Sequence, residues 1–188
     1  QHDDRRVRRR AQFALVRKGR SSIGALARTA KSSHSTLPRL HALWGLGMLA
    51  EDHGMAARRP IVALLNEDNS EVRANAARVL AEHPDESAAD TLIGLLEDPS
   101  HRVRFFAARA LGKMGYSPAT QPLIDMLARN NNQDPWLRHA AALALHRVAD
   151  AETLISRYAD HESSAVRVGI VLALRRKQHA GLSRFLED

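Results

Sequence analysis

A nine-residue phrase recurs six times along this chain of 188 residues. Two fainter copies come first, and four clear copies follow: 7–15 (VRRRAQFAL), 38–46 (PRLHALWGL), 72–80 (VRANAARVL), 103–111 (VRFFAARAL), 137–145 (LRHAAALAL) and 166–174 (VRVGIVLAL). Successive copies begin between 29 and 34 residues apart. A period of this length predicts a solenoid, because a unit of this size buries its apolar face only by stacking on its neighbours.

Apolar residues stand at positions 0, 4, 7 and 8 of the phrase, counting its first residue as 0, which is the spacing of one buried helical stripe. A second apolar segment precedes each of the four clear copies. These segments are 59–65, 88–96, 120–127 and 151–158. Sustained apolar and polar alternation, the signature of a strand, is missing. The sequence therefore predicts an all-α, right-handed α-solenoid of about six helix pairs. Four glycines near the ends of the phrases are expected to cap helices in the left-handed conformation: Gly19, Gly47, Gly112 and Gly115.

The second residue of every phrase is arginine. The six are Arg8, Arg39, Arg73, Arg104, Arg138 and Arg167. This position lies about 100° from position 0 on a helix and so flanks the buried stripe. A partly buried guanidinium needs carboxylate or carbonyl partners, and an aspartate lies in the turn before each clear copy. We expect a structural arginine ladder that ties successive repeats together; a row of anion-binding arginines is the alternative.

The phrase with an Asp shortly before it, as at Asp68 and Asp98, resembles HEAT repeats of the short bacterial kind. The segments 9–19 (RRAQFALVRKG) and 39–47 (RLHALWGLG) are similar to the HEAT region of large exported planctomycete and verrucomicrobial proteins, known as membrane-bound dehydrogenases with a haem-binding domain. This second resemblance implies a connector between a dehydrogenase-like propeller and a cytochrome c domain. It also implies a periplasmic or exported location and a chain, residues 1–188, that forms a single repeat domain cut from a larger protein.

In HEAT-like solenoids the second helix of each pair lines the concave face. Positions 3, 6 and 10 of the phrase cluster on the side of the helix away from the buried stripe. Aromatic residues and arginine dominate the energetics of protein interfaces. The predicted partner-binding residues are Arg10, Phe13, Arg17, His41, Trp44, Arg78, Phe106, Arg109, Lys113 and Arg147. The alternative is that the aromatic rings pack between adjacent helices and the cations are solvated.

Positive charge is concentrated at the start of the chain. Residues 1–50 hold 11 Lys and Arg against two Asp, whereas residues 51–188 hold 17 Lys and Arg against 19 Asp and Glu. A nucleic-acid-binding solenoid usually spreads its basic stripe over many repeats, so a protein partner or flanking domains of the same chain are favoured. A HEAT-like solenoid related to DNA glycosylases is the alternative function.

No chemical motif points to catalysis. The chain has no Cys, no HExxH motif and no Gly-rich phosphate loop. The ten His are scattered, which argues against HEAT-type di-iron hydroxylases, and nothing marks the chromophore pocket of a HEAT-like bilin lyase. We therefore predict a monomeric scaffold that is not an enzyme, holds no cofactor or metal and does not insert into a membrane.

Overall fold

The computed structural model describes residues 4–185, apart from the side chain of Arg184. Eleven α-helices run through this part of the chain, and it contains no strand, which confirms the all-α fold. The bounds of the helices are α1 Arg5–Arg17, α2 Ile23–Ser32, α3 Thr36–His53, α4 Met55–Ala63, α5 Ser70–Glu82, α6 Ala89–Gly94, α7 His101–Met114, α8 Thr120–Asn130, α9 Pro135–Val148, α10 Ala151–Tyr158 and α11 Ser164–Lys177.

All six copies of the phrase are helical, and they occupy the odd-numbered helices. We call α1, α3, α5, α7, α9 and α11 the phrase helices, and α2, α4, α6, α8 and α10 the intervening helices. Short 3₁₀ turns extend or link them at Gly19–Ser22, Leu64–Asn66, Glu86–Ala88, Leu95–Glu97, Ser117–Ala119 and Ala180–Phe185. The four intervening segments expected from the sequence coincide with α4, α6, α8 and α10 and their 3₁₀ extensions.

The chain divides into two compact units, Gln1–Ala88 and Ala89–Asp188. In the first unit α1 packs on α3 and α3 packs on α5. Helix α2 packs on α3, and α4 packs on both α3 and α5. In the second unit α7 packs on α9 and α9 packs on α11, with α8 touching both α9 and α11. Each unit is thus built from neighbouring phrase helices that pack directly against one another.

The core of each unit comes from the apolar stripe of the phrase. Val72, Ala76 and Leu80 of α5 are fully buried, as are Val103, Ala107 and Leu111 of α7. Alanine at the middle position lets the helices approach closely, because it adds only a methyl group between the backbones. The stripe predicted from the sequence is therefore the buried stripe of α3, α5, α7, α9 and α11. The prediction is wrong for α1, where no residue is buried and Val7 is 41% exposed.

Two of the four expected glycine caps are wrong. Gly115 ends α7 in the left-handed conformation, with φ 66°, and Gly19 has φ 62° after the end of α1. Gly47 and Gly112 instead lie inside α3 and α7 and are buried there. A Cβ on Gly47 would lie 2.9 Å from a methyl group of Val79, and one on Gly112 would lie 2.7 Å from the Cα of Ala144. These two glycines are needed for close helix packing and not for capping.

The end of the chain and helix α4 differ from what the sequence predicts. Residues 181–188 are expected to form the first helix of a seventh unit, whereas the structure forms a 3₁₀ turn at Ala180–Phe185; residues 186–188 lie outside the described part of the chain. The sequence predicts Pro60 near the start of a helix, where its missing N–H costs nothing. Helix α4 instead begins at Met55 and carries Pro60 inside it. The proline lacks the N–H that would bond the preceding turn, so apolar burial on α3 and α5 holds this helix in place.

Candidate functional site

The phrase arginines close the turns that precede their own helices. The guanidinium of Arg73 donates to the carbonyl oxygens of Glu67 and Asp68, at 2.6 and 2.8 Å. Arg104 donates to the carbonyl of Asp98 at 2.7 Å, and Arg167 to that of His161 at 2.8 Å. These carbonyls lie just after the C-terminal end of an intervening helix. Backbone C=O groups there lack hydrogen-bond partners within the helix, so a nearby cation stabilises them. The same geometry therefore recurs in both units, and it engages backbone oxygens.

The other three arginines of the set vary this geometry. Arg138 donates to the side-chain oxygen of Asn132 at 3.3 Å. Arg39 donates to the carbonyl of Ala30, in the last turn of α2, at 2.7 Å, and to the carboxylate of Glu67 at 2.5 Å. Because Glu67 lies in the turn before the next phrase helix, Arg39 joins two successive repeats. Arg8 lines the cavities at the α1 end of the first unit.

Two adjoining cavities cross the phrase helices of the first unit. The first has a volume of about 410 Å³, and Arg5, Arg9, Phe13, Leu37 and Trp44 are among its lining residues. The second has a volume of about 570 Å³ and is lined by residues that include Met48, Glu51, Arg78 and Glu82. Gln12 and Trp44 line both cavities, so we treat the two as one groove, the α1–α3–α5 groove.

A chain of polar and aromatic contacts runs along the floor of this groove. The amide of Gln12 accepts from His41 Nδ1 at 2.8 Å, and its Nε2 lies 3.6 Å from the sulfur of Met48. The His41 ring meets the Trp44 ring edge to face, with 5.2 Å between centroids. Trp44 Nε1 then donates to Asn75 Oδ1 at 3.1 Å. The contacts link α1, α3 and α5, and so hold the groove in one shape.

Burial and nearby cations both act on His41. Desolvation lowers the pKa of its imidazole, and the positive charges of Arg8 and Arg5 lower that pKa further. Both effects disfavour a second proton on the ring. At neutral pH His41 is therefore an uncharged donor to Gln12, and the net charge around it comes from the arginines of α1.

The predicted partner-binding residues fall into two groups. Six of them lie in the first unit. Phe13, His41 and Trp44 line the groove, whereas Arg10 and Arg17 are exposed on α1 and do not line it. Arg78 lines its far end. The remaining four, Phe106, Arg109, Lys113 and Arg147, lie on α7 and α9 of the second unit.

Both interpretations of the aromatic residues describe part of the structure. Trp44 packs between α3 and α5, where its N–H is bonded to Asn75, yet it is only half-buried and lines the groove. On α7, the guanidinium of Arg109 lies 5.9 Å from the Phe106 ring and 5.8 Å from the Phe105 ring. A cation and the aromatic face below it attract each other. Arg109 and Phe106 both stay partly accessible to solvent. The use of these residues by a partner stays a prediction.

The predicted partner-binding residues leave out one row of side chains on the same side of the phrase helices. Position −1 of the phrase precedes position 3 by four residues and therefore lies on the same side of the helix. In α3 this position is Leu37, which is 51% exposed and lines the groove; in α9 it is Trp136, which is 71% exposed. Extending the helical count one residue before the phrase would have found both.

Residues 4–185 show neither a metal site nor a membrane span. No group of three or more His, Asp or Glu side chains in this range is arranged to hold a metal ion. None of the helices there is long and apolar enough to cross a membrane.

Comparison with known proteins agrees with this architecture. Residues 58–146, which contain the third, fourth and fifth copies of the phrase, match the family of HEAT repeats. No curated protein sequence matches the chain.

Solved structures extend the likeness to almost the whole chain. A chain from the complex of CpcE and CpcF of phycocyanin lyase from Nostoc sp. PCC7120 is 24% identical, with a TM-score of 0.64, over 86% of this chain and 65% of that one. The present chain thus spans 65% of the length of that relative. An engineered protein is 21% identical, with a TM-score of 0.57, over 100% of this chain and 95% of that one.

A designed armadillo repeat protein in complex with the peptide (KR)4 is 17% identical, with a TM-score of 0.55, over 89% of this chain and 90% of that one. At these identities the likeness shows the fold alone. The whole chain therefore has the fold of HEAT and armadillo helical solenoids, and its residues 58–146 match the HEAT-repeat family.

Proposed function

We propose that this chain is a non-catalytic scaffold that docks a protein on the α1–α3–α5 groove. The observation that carries the proposal is an exposed apolar row along a floor joined by hydrogen bonds. Leu37 is 51% exposed and lines the groove with the half-buried rings of Phe13 and Trp44, and Met48 is 42% exposed and lines it with Trp44. Apolar and aromatic side chains ringed by arginine are typical of interface hot spots.

Two of the structural relatives support a binding role. One is part of the CpcE–CpcF complex of a lyase, and another is a designed armadillo protein that binds a peptide. Repeat proteins of this kind offer long surfaces built from one helix per repeat, which suits them to binding extended partners. The docked protein is either a separate chain or a further domain of the same polypeptide. We accordingly propose, as a narrower form of the function, a connector between a dehydrogenase-like propeller and a cytochrome c domain.

A cross-linking experiment tests the docking function. A photo-reactive phenylalanine analogue placed at Leu37 should form an adduct with one protein or one domain in cells of the source organism. The same analogue at Met55, on intervening helix α4, is the matched control, because Met55 is 43% exposed and lies outside the groove. Adducts of the same identity from both positions would contradict docking in the groove. An adduct within the same longer polypeptide would support the connector form.

Affinity measurements with the cross-linked protein complete the test. Met48→Ala should weaken binding by about 1–2 kcal/mol, because Met48 lines the groove, whereas Met55→Ala should change it by less than about 0.5 kcal/mol. Met48 and Leu37 are better probes than Trp44, because loss of the Trp44 ring would also break its bond to Asn75. Equal affinities for the two variants would show that the partner binds elsewhere.

The rival function is nucleic-acid binding, and a gel-shift assay decides it. Phosphate contacts make such binding weaken steeply with salt. We expect no shift of duplex or single-stranded DNA at about 100 mM salt. A salt-sensitive shift that Met48→Ala leaves unchanged would replace the scaffold function with nucleic-acid binding.

A further inference from the structure

The two ends of the α1–α3–α5 groove carry different charges. Arg5, Arg8 and Arg9 line the end formed by α1, and among the described residues that line this cavity there is no carboxylate. Glu51, Glu82 and Arg78 line the end formed by α3 and α5. Among the described lining residues, the charged side chains at the α1 end are thus all positive, whereas the far end carries both signs.

The arginines of α1 lie at the N-terminal end of the helix, where positive charge is unfavourable. Helix α1 has no acidic residue in its first turn, and arginine occupies five of its first six positions, 5, 6, 8, 9 and 10. The helix N-terminus already carries partial positive charge from unbonded N–H groups, so each further cation there is repelled. Asp4 caps the helix and lies 3.0 Å from Arg6, and neither residue lines the groove. An anionic group seated over Arg5 and Arg9 would relieve this repulsion.

The middle of the groove is apolar. Phe13 lies beneath Arg9, whose guanidinium carbon is 5.6 Å from the ring centroid, and Leu37 and Trp44 follow on α3. Met48 continues the row toward α5. A nucleic-acid backbone matches this arrangement poorly, since Glu51 and Glu82 would repel phosphates at the far end. A peptide with carboxylates at one end and apolar side chains beyond them matches both parts.

The length of the groove sets the size of that peptide. Packed helices lie about 8–10 Å apart, so three neighbouring helices span roughly 20 Å. About six residues of extended chain, or about 13 residues of helix, cover that distance. A segment of this size is within the range of a linear motif in a partner protein.

We infer that the groove takes a short acidic and apolar peptide segment of a protein partner, with its carboxylates on Arg5 and Arg9 and its apolar side chains on Leu37, Trp44 and Met48. The inference rests on the proposed docking function and adds the chemistry and the direction of the docked segment. Acidic residues lie over α1, and the apolar residues follow toward α5.

Selection from a random library of displayed 12-residue peptides tests this inference with the whole chain as bait. Selected peptides should be enriched in Asp and Glu next to Leu, Phe or Trp. A synthetic peptide from the selection should bind the double variant Arg5→Glu, Arg9→Glu at least tenfold more weakly than the unchanged chain. Replacing each of its acidic residues with Lys should weaken its binding to the unchanged chain by a similar factor.

The matched control reverses two exposed cations outside the groove, Arg28→Glu and Arg59→Glu, on α2 and α4. This variant has the same net charge as the first and should bind within twofold of the unchanged chain. Circular dichroism and melting temperature check that both variants fold.

Three outcomes would overturn the inference. They are selection of basic peptides, equal loss of binding in the two charge-reversal variants, and a library that yields no peptide sensitive to Leu37→Ser. Basic peptides that still require Leu37 would leave the docking function intact while refuting its acidic chemistry. Binding of single-stranded DNA in place of any peptide would refute both.

Discussion

Asn75 shows how one residue fixes the relation of two helices. It is 1% exposed and lies at position 3 of its phrase, on the side of α5 that faces α3. Its amide oxygen accepts from Trp44, and its amide nitrogen donates to the carbonyl of Glu71 at 2.8 Å. A buried polar group of this kind is tolerable only when it is bonded, so Asn75 and Trp44 depend on each other.

We expect Asn75→Ala to destabilise the fold by about 1–3 kcal/mol, because the Trp44 N–H loses its acceptor. Trp44→Phe removes the donor and leaves the amide oxygen of Asn75 unbonded. The double variant should cost less than the sum of the two single changes by at least about 0.5 kcal/mol. Urea unfolding of the four proteins measures this coupling. Additive costs would show that the bond contributes nothing.

At the scale of the helices, close approach is set by small residues. Position 9 of the phrase is glycine in α3 and α7, and each glycine meets the neighbouring phrase helix of its unit. The Cα of Ala144 on α9 would lie 2.7 Å from a Cβ at Gly112. The obstacle is backbone, so no change of rotamer can relieve it.

Gly112→Ala should therefore destabilise the chain by about 1–3 kcal/mol, because α7 and α9 must separate. This is the opposite of the gain of about 1 kcal/mol that helix propensity alone favours. Gly94→Ala is the control, because a Cβ at this position would meet no side chain or neighbouring helix within 4 Å, and it should be neutral or stabilising. Thermal or urea unfolding checks both changes. A stabilising Gly112→Ala would contradict the packing role.

At the scale of the whole molecule, the stability of the fold depends on pH. The chain has a formal net charge of +7 and ten His residues, so acid adds charge to an already positive protein. Burial lowers the pKa of His146, and Lys177, Arg147 and Arg176 lower it further. His41 has a lowered pKa for the same two reasons. The first unit thus contains one such histidine and the second unit contains the other.

The sign of the pH effect follows from these shifts. Between the ordinary His pKa of 6.5 and the lowered value in the folded chain, the unfolded chain binds more protons. Stability therefore falls as the pH drops below about 6.5. The melting temperature should be lower at pH 5.5 than at pH 7.5, by roughly 2–4 °C for each 1 kcal/mol lost.

Paired variants show whether these two residues cause the effect. His41→Gln with His146→Gln should reduce the difference in melting temperature between the two pH values. His34→Gln with His139→Gln changes two exposed histidines and should leave that difference intact. A difference that persists unchanged in the first variant would assign the acid sensitivity to other groups.

Local pattern was enough to locate the phrase helices and, except in α1, their buried stripes. The spacing of Val72, Ala76 and Leu80 marks one side of a helix whatever it packs against, because helical periodicity is a property of neighbouring residues. The position of Arg73 beside that stripe likewise required only the helical angle. That its hydrogen bonds reach the carbonyls of Glu67 and Asp68 followed from the path of the turn, which the pattern does not contain.

The sequence by itself determined that this protein is a stack of helix pairs with positive charge concentrated in its first repeats. Only the tertiary structure decided that Gly47 and Gly112 pack against other helices and that Asn75 is paired with Trp44. It also decided that Leu37 shares a groove with Phe13. The physical reason is that periodicity fixes the direction of a side chain from its own helix, whereas its surroundings depend on the spacing and register of helices distant in sequence.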